Sequence, residues 1–233
     1  MNVLAIGAHP LDIVFLCGGT LARYGYAGNA IDLAYLSAPV SESLSASLED
    51  LMDQRERETN QAAALIGAEA HFLRISPLTL DLSLEMKIKV TDLIRRVRPD
   101  LIITHDPGDY HPDHEVTSRL VHEAGLLARQ HIPGTELPVG QISPEIIYME
   151  TVAGVGFRPE EFVDITEVIE TKRNMMLCYE SEIAAWEDDP VVPWMEWMEV
   201  TGRFRGIQSG VWYAEAFRRC HKWGHLRPER ILP

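Results

Sequence analysis

The chain reads as an α/β protein: a Rossmann-like, doubly wound and mainly parallel sheet with helices on both faces. Short apolar runs at 3–7, 31–36, 71–75 and 101–104 alternate with longer stretches of helical period. The runs are rich in Ile, Leu and Val, as strands buried on both faces should be. A βαβαβαβ order then leaves parallel strands joined by crossover helices.

Each element has its own signal. The first three helices are expected at 15–28, 51–67 and 84–97, and Gly28, Gly67 and Pro99 stand where helix ends belong. A fourth helix is expected at 115–130, then a Pro/Gly-marked loop at 131–139. Strands follow at 145–150 and 162–165, and a helix at 167–180. The stretch 186–206 shows no clear period and holds Trp186, Trp194 and Trp197; a closing helix is expected at 211–219. Without a repeat, low-complexity tract or linker, residues 1–233 read as a single domain, and that length suits one full core.

Composition narrows the function. Apolar residues are 46% and charged residues 24%, an ordinary globular mix. A formal net charge of −14 opposes nucleic acid and anionic membrane as partners. It leaves a small-molecule substrate open, because local arginines can outweigh the global field. Cys17, Cys178 and Cys220 are odd in number and far apart, with no CxxC pair. That predicts a reducing, cytoplasmic setting and no cysteine-based zinc site. The opening MNVLAIGAHP reads as a first strand rather than a signal peptide, and no apolar run approaches a membrane span.

Two polar clusters close two of the strands. The first is Gly7-Ala8-His9-Pro10-Leu11-Asp12; the second runs from Thr104-His105-Asp106 to Asp109-Tyr110-His111-Pro112-Asp113-His114. In a sheet ordered 3-2-1-4, strands one and four are neighbours, and their carboxyl ends flank the switch point where such folds bind ligands. Imidazole and carboxylate are good zinc ligands, and a catalytic zinc keeps three protein ligands plus water. His9, Asp12 and His114 would make such a set. His111 and His114 are three apart at a helix start, so one can bind metal while the other stays free as an acid.

The chain resembles the PIG-L/LmbE-like N-acetylsugar deacetylases. That family opens with a strand and a His-Pro-Asp-Asp motif, matched by His9-Pro10-Leu11-Asp12, and then a Gly-Gly-Thr-Leu helix start, matched by Gly18-Gly19-Thr20-Leu21. Its His-Pro-Asp-His motif is intact at 111–114. Arg55 and Glu58 match its Arg-x-x-Glu helix, 162–166 its late strand, and Arg205-Gly206 with 213–217 its closing segment. The resemblance implies that His9, Asp12 and His114 hold Zn2+ or another divalent metal. It implies that His111 is general acid or oxyanion partner with Asp113 orienting it, that Arg55 holds substrate, and that the substrate is an N-acyl sugar or sugar conjugate.

The match breaks at one position. The family's general base is the first Asp of its motif, and Leu11 stands there. General-base catalysis is typically worth about 10²–10⁴-fold. Three outcomes stay open: Asp109 or Asp106 serves as base, the reaction needs none there, or the protein binds without turnover. The second has a precedent in the 4-oxalomesaconate hydratases, which resemble these deacetylases in fold and also lack that Asp. The motif Trp194-Met195-Glu196-Trp197-Met198 fits a substrate mouth, a contact in a homo-oligomer, or core packing.

Overall fold

The computed structural model describes residues 1–37, 47–76, 79–135, 137–140, 143–184, 193–222 and 225. Seven strands form one sheet: β1 (Asn2–Gly7), β2 (Ala30–Ser37), β3 (Glu69–Ile75), β4 (Leu101–His105), β5 (Glu145–Met149), β6 (Glu161–Asp164) and β7 (Ala214–Arg219). Their order is β3-β2-β1-β4-β5-β7-β6. The first five run parallel, and β7 is antiparallel to both its neighbours. The helices are α1 (Pro10–Tyr26), α2 (Leu48–Ala64), α3 (Leu84–Val97), α4 (Pro112–Leu127), α5 (Ile169–Leu177), α6 (Glu180–Ala184) and α7 (Trp194–Ser209). None of the described helices is long and apolar enough to cross a membrane.

Strand alternation splits the interior into two cores. Val3 and Ala5 of β1, with Leu101 and Ile103 of β4, pack toward α1, α2 and α5. Leu4 and Ile6, with Ile102, pack on the other face toward α3 and α4. Successive side chains of a strand point to opposite faces, so one apolar run supplies both layers. Ser47 and Ser83 cap α2 and α3, each accepting a backbone N–H from three residues on.

The expected order 3-2-1-4 and the extents of α3 and β1 agree with the structure. Helices α1, α2 and α4 each begin three to five residues earlier than their apolar period suggests. For α1 and α4 the cause is a proline at the first helical position. The expected helix at 167–180 is interrupted: a 3-10 turn at Thr166–Val168 leads into α5, and α6 follows separately.

Two expectations for the carboxyl-terminal third are corrected. The stretch at 186–206 carries most of α7, whose period is blurred because Val200, Phe204 and Ile207 are apolar yet exposed. Trp186 lies outside the described residues. The expected closing helix at 211–219 is instead β7, ladder-bonded to β5 and β6. Gly210, left-handed at φ 77°, ends α7 and lets the chain turn into that strand. Gly19 explains the Gly-Gly step in α1: a Cβ there would meet Ile165 at 2.8 Å, so close packing requires the glycine.

Candidate metal centre

β1 and β4 are paired neighbours, and each is followed by a His–Pro step. Proline at the first helical position carries no N–H to satisfy and already has a helical φ. It also drives the preceding residue into extended backbone. His9 (φ −125°, ψ 159°) and His111 (φ −84°, ψ 123°) therefore sit as N-caps of α1 and α4. Asp12 and His114 are the third residues of those helices, so both lie in the first turn beside the caps. The same local device, used twice on adjacent strands, builds the site.

Three of these side chains converge. Asp12 Oδ2 lies 3.3 Å from His9 Nδ1 and 3.4 Å from His114 Nε2. One donor atom from each residue falls within a 4.8 Å group. Zinc with donors at about 2.0–2.2 Å in a tetrahedron holds them about 3.4 Å apart, so the Asp12 spacings fit a cation. The outer nitrogens are also satisfied. His9 Nε2 lies 3.1 Å from Asp113 Oδ2, and His114 Nδ1 lies 3.0 Å from Asp109 Oδ2. A carboxylate behind an imidazole fixes its tautomer and aims the other nitrogen as a metal donor.

The electrostatics call for positive charge here. Burial alone would lower the pKa of His9, but Asp12 and Asp113 outweigh it and raise it to about 10. His114 behaves alike: burial lowers, Asp12 and Asp109 raise, and it ends near 9. For Asp12, burial raises the pKa, yet His114 and His9 hold its carboxyl well below the usual range. Three carboxylates around two imidazoles form a site that protons or a cation must neutralise.

The remaining expected site residues are placed as follows. Asp109 is buried, accepts from the His111 backbone N–H at 2.9 Å and faces His114. Asp113 was expected to orient His111, but its carboxylate faces His9 instead; only its backbone N–H reaches His111 Nδ1, at 3.2 Å. His111 thus spends Nδ1 as a helix cap and keeps Nε2 for other work. Its ring stacks on His114 at 4.4 Å. Asp106 pairs with Arg218 and accepts from Gly108 N at 2.7 Å. Leu11 is buried in the α1 core.

Arg55 is 2% exposed. Its Nη1 donates to Glu58 at 3.2 Å and to Ser181 Oγ at 2.6 Å. It lines a shallow, open cleft with Pro10, Tyr35, Ser37 and Arg74, next door to His9. His105, buried at the end of β4, stacks on His114 at 3.8 Å and lies 3.2 Å from Asp12. Burial and His114 lower its pKa to about 4, so it is neutral. Sequence reasoning missed Glu182 of α6. It is buried, 3.7 Å from Arg55, and feels the charges of Asp12 and His9. No spacing or motif marks it.

The family profile described as PIG-L, GlcNAc-PI de-N-acetylase, matches residues 4–125. The chain belongs to the PIG-L family. The matched span carries β1 through most of α4, and with it both His–Pro steps. One PIG-L relative, the diacetylchitobiose deacetylase of Thermococcus kodakarensis, is 27% identical over 231 residues, covering 93% of this chain and 82% of its own. Another, the 4-oxalmesaconate hydratase of Pseudomonas putida, is 28% identical over 198 residues, covering 80% and 76%. The solved N,N'-diacetylchitobiose deacetylase of Pyrococcus horikoshii is 26% identical, with a TM-score of 0.79 over 94% of this chain and 83% of that one. This PIG-L chain is therefore similar to N-acetyl sugar deacetylases and, at comparable identity, to a hydratase.

Proposed function

We propose that the protein is a zinc-dependent hydrolase that removes an acyl group, acetyl above all, from an N-acylated sugar or sugar conjugate. We read residues 1–233 as one PIG-L domain, working in a reducing, cytoplasmic compartment as its three free cysteines suggest. The observation that carries the reading is Asp12 set 3.3 and 3.4 Å from two imidazole nitrogens, each imidazole backed by its own carboxylate. The roles are these: His9, Asp12 and His114 hold the metal, and Asp109 and Asp113 orient the two imidazoles.

When bound, zinc polarises the acyl oxygen and lowers the pKa of a water. The chain's residues do the rest. His111, with Nδ1 committed to the Asp113 N–H, offers only Nε2 to substrate. It donates a hydrogen bond to the oxygen that gains charge as the acyl carbon becomes tetrahedral. Arg55 sits in the wall of the cleft beside Pro10 and positions the sugar. Leu11, packed into the α1 core, brings no proton acceptor to the site.

The test is direct. Protein purified without chelator should carry close to one zinc per chain and release amine from diacetylchitobiose or another N-acetylglucosamine derivative. Metal-replete protein that is inert across a broad N-acyl panel would sink the reading. Two observations favour a second reading, a hydratase acting on an unsaturated keto-acid: Leu11 provides no proton acceptor, and a hydratase is 28% identical. Loss of the conjugated ultraviolet band on adding such acids would select it, and no spectral change would remove it.

A further inference from the structure

Adding water to an acyl carbon requires somewhere for the water's proton to go. The carboxylates beside the metal-facing atoms are already committed. Asp12 is the shared neighbour of His9 and His114. Asp109 faces His114 and the His111 N–H, Asp113 faces His9, and Asp106 is held by Arg218 and Gly108 N. Leu11 has no proton acceptor at all.

One further carboxylate lies within electrostatic reach of both Asp12 and His9. Glu182 is 6% exposed, and its Oε2 has no hydrogen-bond partner among the described residues. The charged group paired with it among the described residues, Arg55 Nη1, is 3.7 Å away, beyond hydrogen-bond length. An ionised carboxylate buried with an idle oxygen is costly, so its retention asks for a reason. The neighbouring residue is pinned: Ser181 N donates to Glu58 at 2.9 Å, and Ser181 Oγ accepts from Arg55 at 2.6 Å. Glu182 is thus carried on a short helix tied to α2, on the side of the site where Arg55 lines the cleft.

We propose that Glu182 is the catalytic carboxylate that takes the proton of the attacking water, the task that Leu11 cannot perform. The inference rests on the hydrolase reading above. As the water oxygen bonds to the acyl carbon, one of its protons passes to Glu182. When the C–N bond breaks, its electron pair stays on nitrogen and Glu182 returns the proton there. The products are the free amine and the carboxylic acid, and the Glu182 carboxylate is regenerated.

The acid strength of the group suits the task. Burial raises the Glu182 pKa, and Asp12 and Glu58 add to the rise against Arg55 and His9, bringing it to about 7. Tyr179, just before α6, is the other titratable group that feels its charge. A base near the working pH combines availability with proton affinity.

The experiment compares wild type, Glu182→Gln and Glu182→Asp, each loaded with zinc and assayed on diacetylchitobiose and on an unsaturated keto-acid. We expect Glu182→Gln to lose about 10²–10⁴-fold in kcat, with KM and zinc stoichiometry unchanged. The acidic limb of the wild-type pH profile, centred in the neutral range, should vanish in Glu182→Gln and persist at reduced rate in Glu182→Asp. Infrared difference titration of the metal-free protein should show a carboxyl protonating near neutral pH in wild type and not in Glu182→Gln. A Gln variant within about threefold of wild type, with the limb intact, overturns the assignment and leaves the hydrolase reading standing. A zinc-loaded wild type inert across a broad N-acyl panel overturns both.

Discussion

Among the described residues, histidine and carboxylate gather in two separate regions, the first of which also holds the overlapping trio His105, Asp109 and His114, and the two regions differ in instructive ways. One is His9, Asp12 and His114 at the carboxyl ends of β1 and β4; the other is Asp32, Glu69 and His71, on the paired strands β2 and β3. Each brings three ligand atoms within 4.8 Å. In the first, two carboxylates stand behind the imidazoles, and the residues are buried at the switch point of the sheet. In the second, His71 has Asp32 at 2.6 Å, Glu69 is exposed, and the cluster begins at the amino end of β3. Proximity alone does not make a metal site. What the first cluster has and the second lacks is a carboxylate behind each of two rings and a place where the fold leaves a crevice, and on these features we read it as the metal site.

Removing the shared ligand breaks the comparison most severely. Asp12→Ala should abolish stoichiometric zinc and any turnover, because it removes the atom that bridges both imidazoles. Wild type at a hundredfold excess of zinc over Kd should gain about 2.7 kcal/mol of stability over its chelated form, and Asp12→Ala should gain none. Thermal unfolding with zinc or chelator checks this. An Asp12→Ala protein that still binds one tight zinc would transfer the metal elsewhere.

The pH dependence follows from the raised pKa values of His9, about 10, and His114, about 9. Below about pH 9 both rings carry protons in the metal-free protein, and a metal donor nitrogen must be bare. Each zinc should therefore displace about two protons, and affinity should rise with pH by as much as about 100-fold per unit between pH 7 and 8. Calorimetry in buffers of different ionisation heat counts those protons. A pH-independent affinity would contradict the ligand set.

Smaller effects test the carboxylates behind the rings. Asp109→Asn and Asp113→Asn should each weaken zinc by about 10–100-fold without abolishing it, read by competition with a chelator of known affinity. If Asp113→Asn left zinc affinity untouched, the Asp113–His9 contact at 3.1 Å would have no bearing on the metal.

These residues also mark how far the sequence could be read. Strand order followed from alternating apolar runs and helical periods, and that order alone brought His9 and His114 together across more than a hundred positions. Helix starts were harder, because a His–Pro cap carries no apolar period. The partner of Asp113 was legible in kind and wrong in detail. Two residues from His111 in sequence, its carboxylate instead crosses to His9, the cap of another helix. In β7, Ala214-Glu215-Ala216-Phe217 is nearly all buried between two strands, so alternation is weak and a helix looked as good. Glu182 had no local signal at all. Its position depends on α6 docking against α2, through Ser181 and the Arg55–Glu58 pair, which only the tertiary fold supplies.

The second cluster offers the smallest and sharpest test. The His71–Asp32 contact is short, 2.6 Å, but both side chains remain in reach of water at 14% and 16% exposure. Pairs near solvent contribute about 0–1 kcal/mol, since screening and lost side-chain freedom offset the attraction. His71→Ala should therefore cost under about 1 kcal/mol in denaturant unfolding and leave one zinc per chain in place. The two clusters are far enough apart in sequence and strand position that no shared ligand links them. If wild type bound two zinc ions and His71→Ala lost one, the β2–β3 cluster would be a metal site in its own right. Burial and a carboxylate behind each ring would then no longer be what separates the two clusters.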